Sequence, residues 1–183
     1  MSFVTSAIAA SMLVASPTSV QCQGVAVSEW FEPAAGGGVH AAVTFRADVV
    51  PDGARVTVVE RTGHDGTHIA LRLHGVEAGR TFGAHVHTKP CGAKPEDSGP
   101  HYQDRKDPKQ PSTDPAYANP RNEVWLDLTT DRRGDGGASA DVQWRFRDGE
   151  ARSVVVHEHA TETGAGHAGM AGARLACVNV PFV

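Results

Sequence analysis

Short stretches in which apolar and polar residues alternate are the feature that most constrains the fold of this chain. Ile69, Leu71 and Leu73 alternate with other residues, and side chains two positions apart lie on one face of a β-strand. Turn signals separate these stretches, and the chain holds 20 glycines and 11 prolines. About eight short strands at this spacing predict an all-β protein, a Greek-key β-barrel or sandwich of antiparallel strands with two long loops. The clearest predicted strands lie at 39–49, 55–61, 124–128, 142–146 and 153–157.

The length and charge limit the domain count and the partners. A chain of 183 residues suits one domain with a full core and is short for two. The formal net charge of −4 at pH 7 argues against a nucleic-acid-binding surface. We therefore expect one β-barrel domain over residues 39–183 and no nucleic acid partner. The sequence leaves open whether the protein is a monomer or a homodimer.

Residues 1–38 are expected to form a leader followed by a flexible segment. The apolar run at 7–15 has signal-peptide length and precedes a turn-like Ser-Pro pair. No lysine or arginine precedes this run, so the alternatives are a truncated or misassigned start, or a flexible apolar tail. The pattern favours a secreted or extracytoplasmic protein, and no further run is long enough for a membrane span.

Two histidines one residue apart, His85 and His87, lie in an apolar stretch. On a β-strand both imidazoles would point to the same face, which makes half of a transition-metal site. His157 follows a run of valines much later in the chain. One alternative is a pair of hydrogen-bonded structural histidines. Another is a cupin, but the glutamate that a cupin needs shortly after the histidines is missing from 88–93.

The cysteines favour an oxidising compartment. None of Cys22, Cys91 and Cys177 forms a C-x-x-C motif. Two distant cysteines that bracket the candidate metal histidines suit one long-range disulfide. Cys22 lies just past or within the predicted leader and reads as an odd cysteine.

Residues 88–122 are predicted to form a long loop rather than a regular strand or helix. Prolines recur throughout this segment, together with many charged residues. A loop of this length is usually either functional or disordered. It also contains a further histidine, His101, in a Gly-Pro-His sequence.

Four motifs together resemble the copper-zinc superoxide dismutase family. They are G-x-H-V-H at 83–87, G-P-H at 99–101, V-V-H-E at 155–158 and G-x-R-L-A-C at 172–177. The motifs follow the family's order at close to its separations, and the resemblance covers roughly residues 39–181. A single H-x-H is a weak signal, whereas the four motifs in order are specific.

The resemblance implies a role for each matching histidine. His85, His87 and His157 match the family's copper ligands, and His101 matches the histidine that bridges copper and zinc. In members that bind zinc, the counterpart of His101 leaves copper on reduction and carries a proton. His101 is therefore expected to be catalytic as well as a metal ligand.

The resemblance also implies a disulfide and an anion-binding residue. Cys91 and Cys177 match the family's disulfide pair, although Cys91 lies several residues closer to His87 than usual. Arg174 matches the arginine at the mouth of the copper channel. A fixed positive charge there would attract and orient the superoxide anion, which is the partner that the resemblance implies.

Departures from the family pattern concern zinc. Residues 102–135 contain no histidine, and Arg121 and Val124 stand near the positions of two zinc ligands. The aspartate that normally links the copper and zinc shells is replaced by Thr161, and the segment from His157 to Arg174 is shorter than usual. We therefore expect copper as the cofactor and zinc to be unlikely, as in a copper-only variant of the family.

Without zinc, another group is needed to orient His101. A metal-bound imidazole normally has its second nitrogen bonded to a carboxylate or carbonyl group. Glu123 is the first candidate and Asp127 the second. The alternative is that Glu123 is a solvated carboxylate beside Arg121.

The expected function is dismutation of superoxide to oxygen and hydrogen peroxide at a mononuclear copper centre. The first alternative is a non-catalytic protein that binds or buffers copper on the same fold, and the second is a structural sandwich with vestigial histidines. His159 and His167 are expected to be solvated, although His167 and Met170 could bind a metal transiently.

Overall fold

The computed structural model describes residues 23–34 and 40–183. The predicted leader run at 7–15 and Cys22 lie outside these residues. The one helical element among the described residues is a 3₁₀ turn at Pro95–Ser98, and no described helix is long and apolar enough to cross a membrane. The strands, in chain order, are β1 Gln23–Trp30, β2 Glu32–Pro33, β3 Ala42–Thr44, β4 Arg55–Gly63, β5 Gly66–His74, β6 Thr81–Phe82, β7 Ala84–His87, β8 Leu128–Thr129, β9 Gly136–Val142, β10 Ser153–His157 and β11 Arg174–Asn179.

These strands form two main sheets. One has the order β1-β4-β5-β9 and the other the order β2-β3-β11-β10-β7, while β6 pairs with β8. Every pair is antiparallel except β2 with β3. The chain is therefore an all-β sandwich of largely antiparallel strands, which confirms the predicted fold class.

The hydrophobic core lies between the two sheets. Val58 on β4 and Leu71 on β5 are fully buried, and they belong to the same apolar cluster as Val86 on β7 and Val154 on β10. Strict alternation along β4 and β5 directs every second side chain into this cluster. The alternation read from the sequence is therefore the physical basis of the sandwich.

Strand β1 lies within the segment 1–38 that the sequence prediction assigned to a leader and a flexible region. It pairs with β4 over its whole length, and Val25 and Val27 pack against the core. Residues 23–30 are thus a paired edge strand rather than flexible chain, so the sandwich begins before residue 39. No side chain of β1 is fully buried, which makes its hydrophobic signal weak.

Three of the predicted strands are longer in the prediction than in the structure. Of the strand predicted at 39–49, only Ala42–Thr44 forms a strand among the described residues. Val124, Leu126 and Leu128 are buried as alternation predicts, but only Leu128–Thr129 belongs to a strand. The Leu126 amide donates to the Ala84 carbonyl at 2.8 Å, so this segment follows β7 through isolated hydrogen bonds. Strand β9 covers Gly136–Val142, so only the first residue of the strand predicted at 142–146 belongs to a strand.

The outer face of the second sheet is covered by the long loop at 88–122. The Thr88 amide donates to the Pro100 carbonyl at 3.0 Å, and the Tyr102 amide donates to the Val86 carbonyl at 2.8 Å. The loop therefore returns alongside β7, and every residue of β7 and β10 is buried. Side chains that point away from the core on these strands lie beneath the loop.

A disulfide joins this loop to the sheet. Cys91 in the loop is bonded to Cys177 on β11, and the Cys91 amide donates to Asn179 Oδ1 at 2.8 Å. Both contacts attach the first part of the loop to β11. Arg174, at the start of that strand, consequently lies next to the 3₁₀ turn.

Candidate metal centre

Four histidines from three parts of the chain converge beneath the loop. Ala84 and Val86 point into the core, so His85 and His87 on the same strand point to the outer face. His157 ends β10, and His101 pairs with His87 through an isolated antiparallel bridge. One possible ligand nitrogen from each of the four lies within 4.8 Å of the others.

Burial keeps three of these imidazoles neutral, those of His85, His87 and His157. His85 and His87 are fully buried, and for both the loss of solvent, followed by repulsion from His101 and His157, lowers the pKa well below its ordinary value. Burial likewise lowers the pKa of His157 to about 3. Neutral imidazoles carry the nitrogen lone pairs that metals bind.

Thr161, itself bonded to Asp127, holds the outer nitrogen of His85, which is the ring nitrogen that points away from the other three histidines. The Thr161 hydroxyl donates to Asp127 Oδ1 at 2.6 Å, and the Thr161 amide donates to Oδ2 at 2.7 Å. His85 Nε2 lies 2.8 Å from the same hydroxyl oxygen. Because the hydroxyl proton is used toward Asp127, we infer that His85 Nε2 carries the proton and that Nδ1 bears the lone pair.

Backbone carbonyls hold the outer nitrogens of His87 and His157. His87 Nδ1 lies 2.9 Å from the Gly99 carbonyl oxygen, and His157 Nδ1 lies 3.5 Å from that of Gly172. A carbonyl oxygen can only accept, so each Nδ1 is the protonated nitrogen. The lone pair of each ring is then on Nε2.

Glu123 holds the outer nitrogen of His101. Its Oε2 lies 3.0 Å from His101 Nδ1 and also accepts from Trp125 Nε1 at 2.7 Å, while Oε1 accepts from Gln103 Nε2 at 2.7 Å. The side chain of Glu123 is only 1% exposed, so it is not the solvated carboxylate of the alternative interpretation. Asp127, the second candidate, contacts Thr161 rather than His101.

The inward nitrogens provide a test of whether a metal fits. His85 Nδ1 is the one buried side-chain nitrogen or oxygen among the described residues that has no hydrogen-bond partner. His87 Nε2 and His157 Nε2 lie 3.3 Å apart, and with both Nδ1 atoms protonated these two lone pairs face each other. A cation between the rings would satisfy all of these atoms, and imidazole nitrogen suits copper, zinc and related transition metals.

The surroundings of His101 offer no comparable second set of ligands. Val124, near one expected zinc-ligand position, is fully buried in the core. Across the described ranges, the four histidines form the one group of three or more His, Cys, Asp or Glu side chains with ligand atoms this close. Glu123 contacts His101 Nδ1, and Asp127 accepts hydrogen bonds from Thr161.

A pocket of about 340 Å³ connects the cluster with solvent. His101 and His157 line it, whereas His85 and His87 do not. Arg174 lines the same pocket, and its Nη1 donates to the Pro95 carbonyl at 3.0 Å and to Ser98 Oγ at 2.9 Å. Burial lowers the pKa of Arg174 below its ordinary value, but a guanidinium stays charged at neutral pH.

The remaining histidines lie outside the cluster. His159 Nδ1 contacts the Ala160 carbonyl at 3.0 Å, and both His159 and His167 are exposed. The sequence analysis interpreted Thr161 as the loss of an aspartate, and it did not identify Gln103 as a partner of Glu123. The spacing of Thr161 after His157 was the available signal, but its partner Asp127 lies in a distant segment.

Comparison with known proteins decides the family. The family model for copper/zinc superoxide dismutase matches residues 53–180. The chain belongs to the copper/zinc superoxide dismutase family. This membership confirms the resemblance drawn from the four motifs. No curated protein sequence matches the chain.

Solved structures of superoxide dismutases and related proteins share the fold. The Cu/Zn superoxide dismutase from Brucella abortus is 21% identical with a TM-score of 0.50, over 68% of this chain and 86% of that chain. A double mutant of a SOD-like protein from Bacillus subtilis is 16% identical with a TM-score of 0.52, over 69% of this chain and 88% of that chain. At these identities the likeness establishes the fold alone.

We predict that the metal-free protein loses stability as the pH falls below about 6.5. The folded-state pKa of His85, His87 and His157 is depressed, so the unfolded chain binds more protons in this range. The histidine contribution is fully present above the unfolded pKa and is lost as the pH falls toward the folded one. Urea titrations between pH 7.5 and 5.5 should show a loss of up to about 1.4 kcal/mol per pH unit for each histidine.

The exposed turn residue His64 supplies the control for this measurement. A His64→Gln variant should show the same dependence of the free energy of unfolding on pH as the unaltered protein. A free energy of unfolding that stays constant from pH 7.5 to 5.5 would contradict the assignment of neutral buried imidazoles.

Proposed function

We propose that this chain catalyses the dismutation of superoxide at a mononuclear copper centre held by His85, His87, His101 and His157. The observation that carries the proposal is the convergence of four imidazoles whose outer nitrogens are each held by a protein partner. This leaves four inward lone pairs for one ion. Bound copper supplies the one-electron chemistry, accepting an electron from one superoxide and returning it to a second.

Arg174 serves to attract and orient the anion. Two hydrogen bonds to the segment at 95–98 hold its guanidinium on the pocket wall shared with His101 and His157. The chain as a whole carries a net charge of −4, so a fixed local cation is needed to draw an anion into this pocket. Arg174 therefore acts as the anion-binding residue of the reaction.

His101 is suited to carry a proton to the reduced product. It is the most exposed of the four histidines, with 18% of its side chain accessible, and it lines the pocket. Its outer nitrogen lies 3.0 Å from Oε2 of Glu123, which fixes the orientation of the ring. Formation of hydrogen peroxide needs two protons, and His101 is placed to deliver one of them.

Glu123 replaces zinc as the group that orients His101. It accepts hydrogen bonds from His101, Gln103 and Trp125, so its carboxylate is fixed as well as buried. Such a partner sets the tautomer and the ring orientation of a metal ligand. We accordingly propose a centre that contains copper without zinc.

The disulfide between Cys91 and Cys177 supports placing the protein in an oxidising compartment. Disulfides form and persist outside the cytosol, in the periplasm and in secreted proteins. Superoxide generated in that compartment is the substrate that the site would meet. A copper-binding or copper-buffering protein on the same fold is the second candidate, and the anchored Arg174 favours the enzyme.

Catalysis can be tested by measuring superoxide decay after pulse radiolysis. The decay rate should rise in proportion to the copper bound by the protein. Replacing Arg174 with Ala should leave copper content unchanged but lower the rate by roughly 10- to 100-fold, and the decrease in rate with added salt should largely disappear. Arg133→Ala, which removes a largely exposed guanidinium, should leave both quantities unchanged. A fully copper-loaded protein that does not accelerate decay would favour copper buffering.

The role of Glu123 is tested by a Glu123→Gln variant. This substitution retains the size of the side chain but removes the charge, and we expect copper affinity to fall by roughly 10- to 100-fold. The rate of superoxide decay should fall as well, because His101 loses the carboxylate that fixes the orientation of its ring. Glu150→Gln, a change at a more exposed carboxylate, is the control. Unchanged copper affinity and unchanged rate in Glu123→Gln would refute the role.

A further inference from the structure

Met170 is the one methionine within the described residues, and it lies at the pocket that leads to the histidine cluster. It is 46% exposed, which makes it one of three large apolar side chains exposed among the described residues. It lines the same pocket as His101 and His157. About half of the Met170 side chain is therefore accessible to solvent at this pocket.

The backbone that carries Met170 is packed and fully bonded. The Met170 amide donates to the His167 carbonyl at 3.0 Å, and its carbonyl accepts from the Glu162 amide at 2.8 Å. Its two neighbours, Gly169 and Ala171, are both buried. The turn is thus fixed on both sides of a single exposed side chain, unlike the tip of a loose loop.

This turn lies close to the candidate metal ligands. Gly169 adopts a φ of +80° and passes so near the site that a β-carbon there would lie 3.8 Å from His101 Nδ1 and 3.7 Å from Glu123 Oε2. The same β-carbon would lie 3.1 Å from Ala118 Cβ. Met170 therefore follows directly on a backbone segment that is packed against the His101–Glu123 pair.

Charged side chains at this pocket affect the entry of an ion from solvent. His101 and His157 are the two cluster members that line it, so they are the first members of the cluster that an ion meets. The guanidinium of Arg174 repels cations, and the carboxylate of Glu123, which lines the same pocket, is already bonded to His101, Gln103 and Trp125. A neutral ligand beside these groups adds no repulsion, and an ion of single charge is repelled least by Arg174.

A thioether has the chemistry for this task. Methionine sulfur is a soft, uncharged ligand that selects Cu(I) over harder ions such as Co(II). We propose that Met170 is a transient capture ligand for Cu(I) during metal uptake, from which the ion is exchanged onto His101 and His157. The step is a ligand exchange without any change of oxidation state. The proposal rests on the proposed copper site and adds the route by which that site is filled.

The test measures the rate of copper uptake rather than the activity of the loaded protein. Metal-free protein is mixed anaerobically with the Cu(I) complex of bicinchoninate, and the loss of the complex's absorbance is followed by stopped flow. Met170→Leu should slow the transfer by about tenfold, while the final copper per chain stays equal to that of the unaltered protein. Trp30→Leu, which alters another exposed apolar side chain, should leave the rate unchanged.

Uptake of Co(II) separates loss of the sulfur ligand from damage to the pocket. The unaltered protein and Met170→Leu should take up Co(II) at the same rate. Equal Cu(I) transfer rates in the two proteins would overturn the role of Met170 and leave the copper site standing. Slower uptake of Co(II) by Met170→Leu would also count against it, because a general change of the pocket would then explain the result. If the unaltered protein took up no copper, both this role and the proposed function would fall.

Discussion

The structure depends on one constraint, which is that four imidazoles, three of them kept neutral by burial, each point one ring nitrogen into one small buried space. The outer nitrogens are held by side chains in two cases, Thr161 for His85 and Glu123 for His101. They are held by backbone carbonyls in the other two, Gly99 for His87 and Gly172 for His157. The inward nitrogens therefore cannot all find proton donors within the protein, and His85 Nδ1 has none. A buried polar atom without a partner costs free energy, and a bound cation removes this cost for all four rings together.

Two loops supply the partners of the outer nitrogens, and a network of side-chain hydrogen bonds runs through the longer of them. Glu123 accepts from Gln103, and Gln103 Oε1 accepts from the Asp107 amide at 2.9 Å. Asp107 in turn accepts from Ser112 Oγ at 2.7 Å. A chain of buried polar groups thus runs from His101 to the far part of the loop at 103–112. We assign to this network the role of ordering the loop, which zinc has in relatives with two metals.

Much of the architecture could be predicted because it depends on local patterns. Alternation in β4 and β5 indicated their buried faces, and the H-x-H spacing placed His85 and His87 on one side of a strand. The edge strand β1 was not predicted, because its side chains are only partly buried. The strand expected over 124–128 was too long, because burial alternates there while the hydrogen-bonded ladder does not continue.

The site was harder to predict where partners come from distant segments. Glu123 was a candidate because it lies at the end of the long loop, and its 22-residue separation from His101 is bridged by the returning backbone. The contact of Thr161 with Asp127 spans 34 residues and has no sequence signal, since a threonine at that position reads as the loss of a carboxylate. Thr161 contacts His85 Nε2, and Asp127 accepts the hydrogen bond from the Thr161 hydroxyl. The two side chains together hold His85, which a threonine alone does not do with a carboxylate.

The central claim is that this fold holds one copper and uses a carboxylate in place of zinc. The most direct measurement exposes metal-free protein to equal excesses of copper and zinc, removes unbound ions, and counts both metals per chain by mass spectrometry. Copper outcompetes zinc for a nitrogen site, and among the described residues Glu123 is the one metal-ligating side chain that lies within hydrogen-bonding distance of His101. The account predicts about one copper and no retained zinc per chain. Retention of one zinc alongside one copper would contradict it.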